Sequence, residues 1–301
     1  MNEEVKISHR AKIIKDLVAV FNKNETLRSR FTAGSEKPVP EKEYKYSDDY
    51  EVEYVELPNC RAEFIKPKDN PSKKIVVQLH GGGYIGGLKN SYRNLAGLYS
   101  ECGNGAAVLS VDYRLAPEHV FPAALYDALS AYDWAMSKGY SEEDIILAGD
   151  SAGGGLSLGL CHYLKDNNRK LPKAVIAMSP WADLTGSGTS YKDNKDIDPV
   201  FGSRPEAVIG STYIGEEDGE NPYISPLFGD FTDFPKLLIQ VGTDEMLLSD
   251  SQGVRDKAVD AGVYVKYTEY QGMFHVFQLA GKLMPESKKA WEEVKEFIEE
   301  L

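Results

Sequence analysis

Six short, continuous apolar runs follow one another along the chain, each trailed by a stretch of helical spacing: Ile75 to Leu79, Ala106 to Val111, Ile145 to Ala148, Ala174 to Met178, Leu237 to Val241 and Val263 to Tyr267. Strands that are apolar throughout, rather than at alternate positions, suit a parallel sheet covered on both faces. Strand and helix in alternation give an α/β, doubly wound arrangement. Ahead of these runs, Val52 to Leu57 and Ala62 to Ile65 alternate around Pro58-Asn59, which reads as a hairpin. Further upstream, Ile7, Ala11, Ile14, Val18 and Phe21 recur at three- and four-residue spacing among charged residues, the pattern of an amphipathic helix. The stretch FTAGSEKPVPEKEY that follows reads as a connector. Between about Asp183 and Gly219 the rhythm breaks into polar turns and one short helical run. An insertion there, at the carboxyl edge of the sheet, is placed to form a lid.

A length of 301 residues accommodates one core plus a lid. The formal net charge of -13, with no basic cluster to offset it, argues against nucleic acid and anionic lipid as partners. Cys60, Cys102 and Cys161 have no metal-binding spacing, and an odd number suits no disulfide framework. The opening MNEEVKISHRAKIIKD lacks an apolar core for a signal peptide, and no run reaches the ~18 apolar residues of a spanning helix. A cytoplasmic protein is expected, and the sequon at Asn24 carries no meaning without secretion.

The strongest local signal is Gly149-Asp150-Ser151-Ala152-Gly153, with an apolar strand before it and a helical stretch, Leu156 to Lys165, after it. G-x-S-x-G in that context is a nucleophile elbow. The serine needs a strained, tight turn, and the flanking glycines remove side chains that would collide across it. A hydroxyl attacks only when a base takes its proton, so a histidine must lie within reach. Of five histidines, His9 falls on the N-terminal helix, His80 leads into a glycine run, His119 lies in APEHVFPAA and His162 sits inside the helix after the elbow. His275, in YQGMFHVFQ directly after the last strand, is the expected base. An acid to orient it is expected at the end of a strand between serine and histidine. Asp244, two residues beyond Gly242, fills that place. Glu245 is set aside as pointing to the other side of the turn, and Asp250 as lying a helical turn or two further on.

The stretch QLHGGGYIGG places five glycines in ten positions against the strand Ile75 to Leu79. Backbone N–H groups approach a developing oxyanion closely only where no side chain intervenes. His80-Gly81-Gly82-Gly83 therefore reads as an oxyanion loop, with the Ala152 N–H as a further donor.

Together the blocks HGGGY, DYRLAPEH, GDSAGG, SPWADL, GTDEMLLSD and GMFHVF, between roughly residues 75 and 280, resemble the hormone-sensitive-lipase-like group of α/β-hydrolase carboxylesterases in order and spacing. The resemblance implies an α/β-hydrolase fold, an eight-stranded, mostly parallel sheet flanked by helices. It also implies a helical cap made of residues 1–45 and of 184–220, inserted into a core of 46–301. It implies Ser151, Asp244 and His275 as the triad, Gly82, Gly83 and Ala152 as oxyanion donors, no metal or cofactor, and short acyl esters cut through an acyl-enzyme. The block GTDEMLLSD is closer to members with a Thr/Ser-Asp-Glu acid turn, some of which act on acetylated compounds or lactones.

Tyr84, Trp181 and Phe274 are candidates to line the substrate pocket, against a default role in the core. Glu118 and Asp183 are candidate supporting carboxylates, against salt bridges with Arg114 or another cation. The partner expected is a small ester, and the alternating Val263, Val265 and Tyr267 permit a homodimer through the last strand. Two rivals are a serine peptidase on the same core and a non-catalytic ligand-binding module. The presence of His275 favours an enzyme over the second.

Overall fold

A computed structural model describes residues 7–26 and 41–301. Most of the stretch read as a connector, residues 31–44, lies outside the described residues. In chain order the principal elements are α1 (His9–Lys23), β1 (Tyr50–Glu56), β2 (Arg61–Pro67), β3 (Ile75–Leu79), α2 (Asn90–Cys102), β4 (Ala107–Asp112) and α3 (Ala123–Ser137). Then come β5 (Ile145–Asp150), α4 (Ala152–Asp166), β6 (Ala174–Met178), β7 (Lys236–Gly242), α5 (Leu248–Asp260), β8 (Val265–Tyr270) and α6 (Pro285–Glu299).

The eight strands form one sheet in the order β1-β2-β4-β3-β5-β6-β7-β8. The hairpin β1–β2 and the β2–β4 pair are antiparallel, and every other neighbouring pair is parallel. Strands β3 and β5 to β7 are buried along almost their whole length, because helices cover both faces. On one face Val76, Val108, Ile146, Ile176 and Leu238 pack against Tyr92, Leu95 and Tyr99 of α2 and Trp291, Val294 and Phe297 of α6. On the other, Val77, Leu109, Leu147, Val175 and Ile239 pack against α3, α4 and α5. Neighbours along a strand thus serve opposite cores, as the two-residue period of a strand demands.

The last strand begins at Val265 rather than Val263 and runs on to Tyr270. Val263 is instead tied back by its N–H to Ala258 O at the end of α5. The α-helical pattern at the N-terminus is borne out. Ala11 is fully buried, and with Ile7, Ile14 and Val18 it packs on Tyr270, Met273, Phe274 and Phe277. Ser8 caps α1 by accepting from Ala11 N–H, and also bonds Glu286 at the start of α6 through its own N–H (2.7 Å) and hydroxyl (2.9 Å).

Residues 179–235, between β6 and β7, contain no sheet strand, only a one-turn helix at Ser190–Asp193 and short 3-10 turns. This segment meets α1 where Asn22 Nδ2 donates to Pro199 O at 3.3 Å. It meets the loop after β4 where Tyr213 O accepts from Phe121 N–H at 2.8 Å.

Among the described residues no helix is long and apolar enough to cross a membrane. Nor does any group of three or more His, Cys, Asp and Glu residues there have the geometry to hold a metal ion.

Candidate active site

Ser151 stands between the end of β5 and the first turn of α4 with φ 50° and ψ -121°, a conformation costly for a residue with a Cβ. Three hydrogen bonds hold it there: its N–H donates to Met178 O (2.9 Å), and its carbonyl accepts from Gly155 N–H (3.0 Å) and Trp181 N–H (2.9 Å). The glycines do what the sequence required of them. A Cβ on Gly149 would overlap the backbone of Gly153, and one on Gly153 would overlap the carbonyl oxygen of Leu79. Gly153→Ala is expected to cost about 3 kcal/mol of stability or prevent folding, since backbone cannot give way as a flexible side chain can. A urea-unfolding midpoint equal to that of the parent would contradict the packing described.

The oxyanion-loop candidate is pinned along its length. Gly81 N–H donates to Asp150 Oδ1 at 3.1 Å, and Tyr113 Oη donates to His80 O at 2.6 Å. The carbonyl of Gly82 accepts from Ile85 and Gly86 N–H groups, at 3.2 and 2.9 Å. Gly82 and Gly83 have φ of 110° and 65°, which explains why glycine stands at both. Asp150, immediately before the serine, is buried, and burial pushes its carboxyl up to about 6. His80 lies stacked on Tyr113 with ring centroids 4.1 Å apart, and burial lowers its imidazole to about 4.

Only one histidine reaches the serine. His275 Nε2 is 2.9 Å from Ser151 Oγ, and both residues are 7% exposed. His9 and His119 are exposed, while His162 is core, its Nε2 3.1 Å from Pro226 O and its pKa lowered to about 4 by burial.

The acid differs from the sequence expectation. Glu245 Oε2, not Asp244, lies 2.7 Å from His275 Nδ1. Glu245 is fully buried, and its Oε1 accepts from Gly242 N–H (2.6 Å) and Ser179 Oγ (2.8 Å). A carboxylate only accepts, so the imidazole proton sits on Nδ1 and leaves Nε2 free to take the serine proton. Asp244 faces away. Its Oδ2 pairs with Lys15 of α1, which also donates to Gly272 O (3.1 Å), and its N–H bonds Met273 O (2.9 Å). The physical reason is the path of the turn after β7: position 244 leaves the sheet toward α1, and the next residue folds back beneath the histidine. Asp250, the other rival, is buried apart from the histidine and accepts the N–H groups of Ala182 and Asp183, each at 2.9 Å.

The acid turn is gripped from the inserted segment. Asn194 Nδ2 donates to the carbonyls of Thr243 (3.0 Å) and Glu245 (2.8 Å), and Asp198 Oδ2 accepts from Met246 N–H (2.7 Å). Asp198 Oδ1 also orders its own loop by accepting from Val200 and Phe201 N–H groups, at 2.6 and 2.9 Å. That loop delivers Phe201, whose ring centroid is 4.8 Å from that of His275.

Of the pocket candidates, Trp181 and Tyr84 lie beside the glycine loop. A Cβ on Gly83 would be 4.0 Å from Trp181 Cζ3, and Tyr84 stacks on Tyr213 of the inserted segment at 3.8 Å, its hydroxyl without a partner. Phe274 packs in the small core beneath α1. Glu118 is exposed, Asp183 is consumed by the turn at Thr185 and Ser187, and Arg114 pairs with Asp127 at 2.8 Å. Sequence reasoning did not single out Asn194, Asp198 or Phe201, because they act from a stretch with no regular period.

Comparison with known proteins identifies the family. A family model described as alpha/beta hydrolase fold matches residues 76–279. An acetyl-hydrolase of Streptomyces hygroscopicus is 36% identical over 244 residues, covering 81% of each chain. An esterase of Acinetobacter venetianus is 34% identical over 253 residues, 83% of this chain and 82% of its own. Among solved structures, EstE5 soaked with p-nitrophenyl butyrate has a TM-score of 0.83 at 33% identity, over 97% of this chain and 98% of that one. An esterase from the bacterial hormone-sensitive lipase family has a TM-score of 0.82 at 31% identity, over 95% and 97%. The chain therefore belongs to the hormone-sensitive-lipase-like esterases of the α/β-hydrolase fold. In reaction class it is a carboxylic ester hydrolase.

Proposed function

We propose that this protein hydrolyses esters of short acyl groups, acetyl foremost, through an acyl-enzyme on Ser151, with His275 as base and then acid and Glu245 as the carboxylate that orients it. The observation that carries the reading is the continuous relay from Ser151 Oγ to His275 Nε2 (2.9 Å) and from His275 Nδ1 to Glu245 Oε2 (2.7 Å). Ser151 attacks the carbonyl carbon as its proton passes to Nε2, and Glu245 stabilises the imidazolium that forms. The carbonyl oxygen, now an alkoxide, takes N–H donors from Gly82, Gly83 and Ala152, each worth about 3 kcal/mol of barrier. Collapse of this intermediate breaks the ester C–O bond, and the proton on Nε2 leaves with the alcohol. Water then repeats the sequence on the acyl-serine, releasing the acid. No step calls on a metal or cofactor.

The small acyl group is supported by the low exposure of Ser151 and His275, 7% each with the Phe201 ring beside the histidine, and by the acetyl-hydrolase name of the Streptomyces relative. In this reading α1 and residues 184–220 act as the cap, and β8, at the end of the sheet, offers its free edge to a second copy.

Hydrolysis of p-nitrophenyl esters from acetyl to dodecanoyl tests the proposal. The rate is expected to peak between acetyl and butyryl and to fall about tenfold or more by decanoyl, as methylenes outgrow the pocket. A rate that rises with chain length, or faster cleavage of peptide anilides, would contradict it.

A further inference from the structure

Ser179, the first residue after β6, makes a contact that the relay itself does not require. Its Oγ donates to Glu245 Oε1 at 2.8 Å and accepts from Val276 N–H at 3.2 Å. One buried hydroxyl thus joins the carboxylate to the residue that follows the histidine. The backbone is bent to achieve this: Ser179 has φ 46° and Val276 has φ 52°, left-handed conformations that cost both residues energy. Ser179 N–H bonds Gln240 O at 2.7 Å, so the hydroxyl stands on the rigid sheet between β6 and β7. Ser179 is fully buried and its hydroxyl bonds neither Ser151 nor His275, so it acts through its two partners.

We propose that Ser179 is a positioning residue for the hydrolytic reaction, its hydroxyl fixing Glu245 and the His275 loop in one rigid unit. This rests on the Ser151–His275–Glu245 reading above. Held by Ser179 and by Gly242 N–H, Oε1 is fully used, and only Oε2 faces the imidazole. Without the hydroxyl, the carboxylate turns more freely and the His275 loop loses its tie.

Ser179→Ala and Ser179→Gly separate this role from plain folding support. Both remove the hydroxyl, but glycine adopts φ 46° at ease and so relieves the strain. In both variants kcat is expected to fall about tenfold to a hundredfold, as a small displacement of a reacting group does, with KM within about twofold. The Ser179→Gly variant should remain folded, with a thermal midpoint close to that of the parent. A Ser179→Gly protein with parental kcat and KM, alongside an inactive Ser151→Ala protein, would overturn the positioning role alone. A Ser151→Ala protein as active as the parent would overturn both this role and the mechanism on which it rests.

Discussion

Ser151→Ala is expected to lower kcat for p-nitrophenyl butyrate by about 10⁶-fold while the protein stays folded, as removal of a nucleophilic serine does when its relay is otherwise intact. The residual rate would come from the backbone donors, which still stabilise an oxyanion formed by water. Stability should hold or rise. Ser151 is held with φ 50° by backbone hydrogen bonds, and among the described residues its hydroxyl bonds His275. Removing the hydroxyl leaves the backbone hydrogen bonds of the turn in place. Circular dichroism and the thermal midpoint of the variant, read beside its activity, separate loss of chemistry from loss of fold.

The second large effect distinguishes two adjacent carboxylates. Glu245→Gln should lower kcat about 10⁴-fold, the size expected when an orienting acid becomes an amide. The structure gives the reason. Gly242 N–H and Ser179 Oγ both donate to Oε1 and so hold the amide oxygen at that position, which leaves the NH2 group facing His275 Nδ1. An amide donor there forces the imidazole proton onto Nε2, where it can no longer accept from the serine. Asp244→Asn, by contrast, should leave kcat within about threefold. It loses only a partly exposed ion pair with Lys15, worth about 1 kcal/mol at most. Steady-state kinetics on the two variants side by side decide which carboxylate serves the histidine.

Much of the fold was legible because its rules are local. Buried parallel strands have to be apolar throughout, which marked five of the six runs, while the sixth overlaps β8, an edge strand only half-buried along most of its length. The elbow glycines have to be glycines because backbone passes where a Cβ would stand. The glycine loop and the serine follow directly on strand ends, a place that periodicity fixes to within a residue or two, and the histidine lies in the loop after the last strand. The acid was not legible to that precision. Asp244 and Glu245 are neighbours in one turn, and which of them faces inward depends on the backbone path fixed by the Asp244 N–H bond to Met273 O. A clue lay in α1. Lys15 borders the buried face set by Ala11, Ile14 and Val18, and a cation there calls for a carboxylate, which Asp244 supplies. Asp198, Asn194, Phe201 and Ser179 were invisible for a different reason: each acts across long sequence separations from a loop whose conformation no periodic pattern encodes.

The most direct test of the account is the site and stoichiometry of labelling by a small organophosphate such as diethyl p-nitrophenyl phosphate. Phosphorus takes the place of the acyl carbon, and p-nitrophenolate leaves as the serine oxygen bonds to it. Intact-mass and peptide mass spectrometry should find one diethylphosphoryl group per chain, on Ser151, formed in step with the loss of esterase activity. Full inactivation with the label on another residue, or an active protein that takes up no label at all, would contradict the claim that Ser151 is the nucleophile.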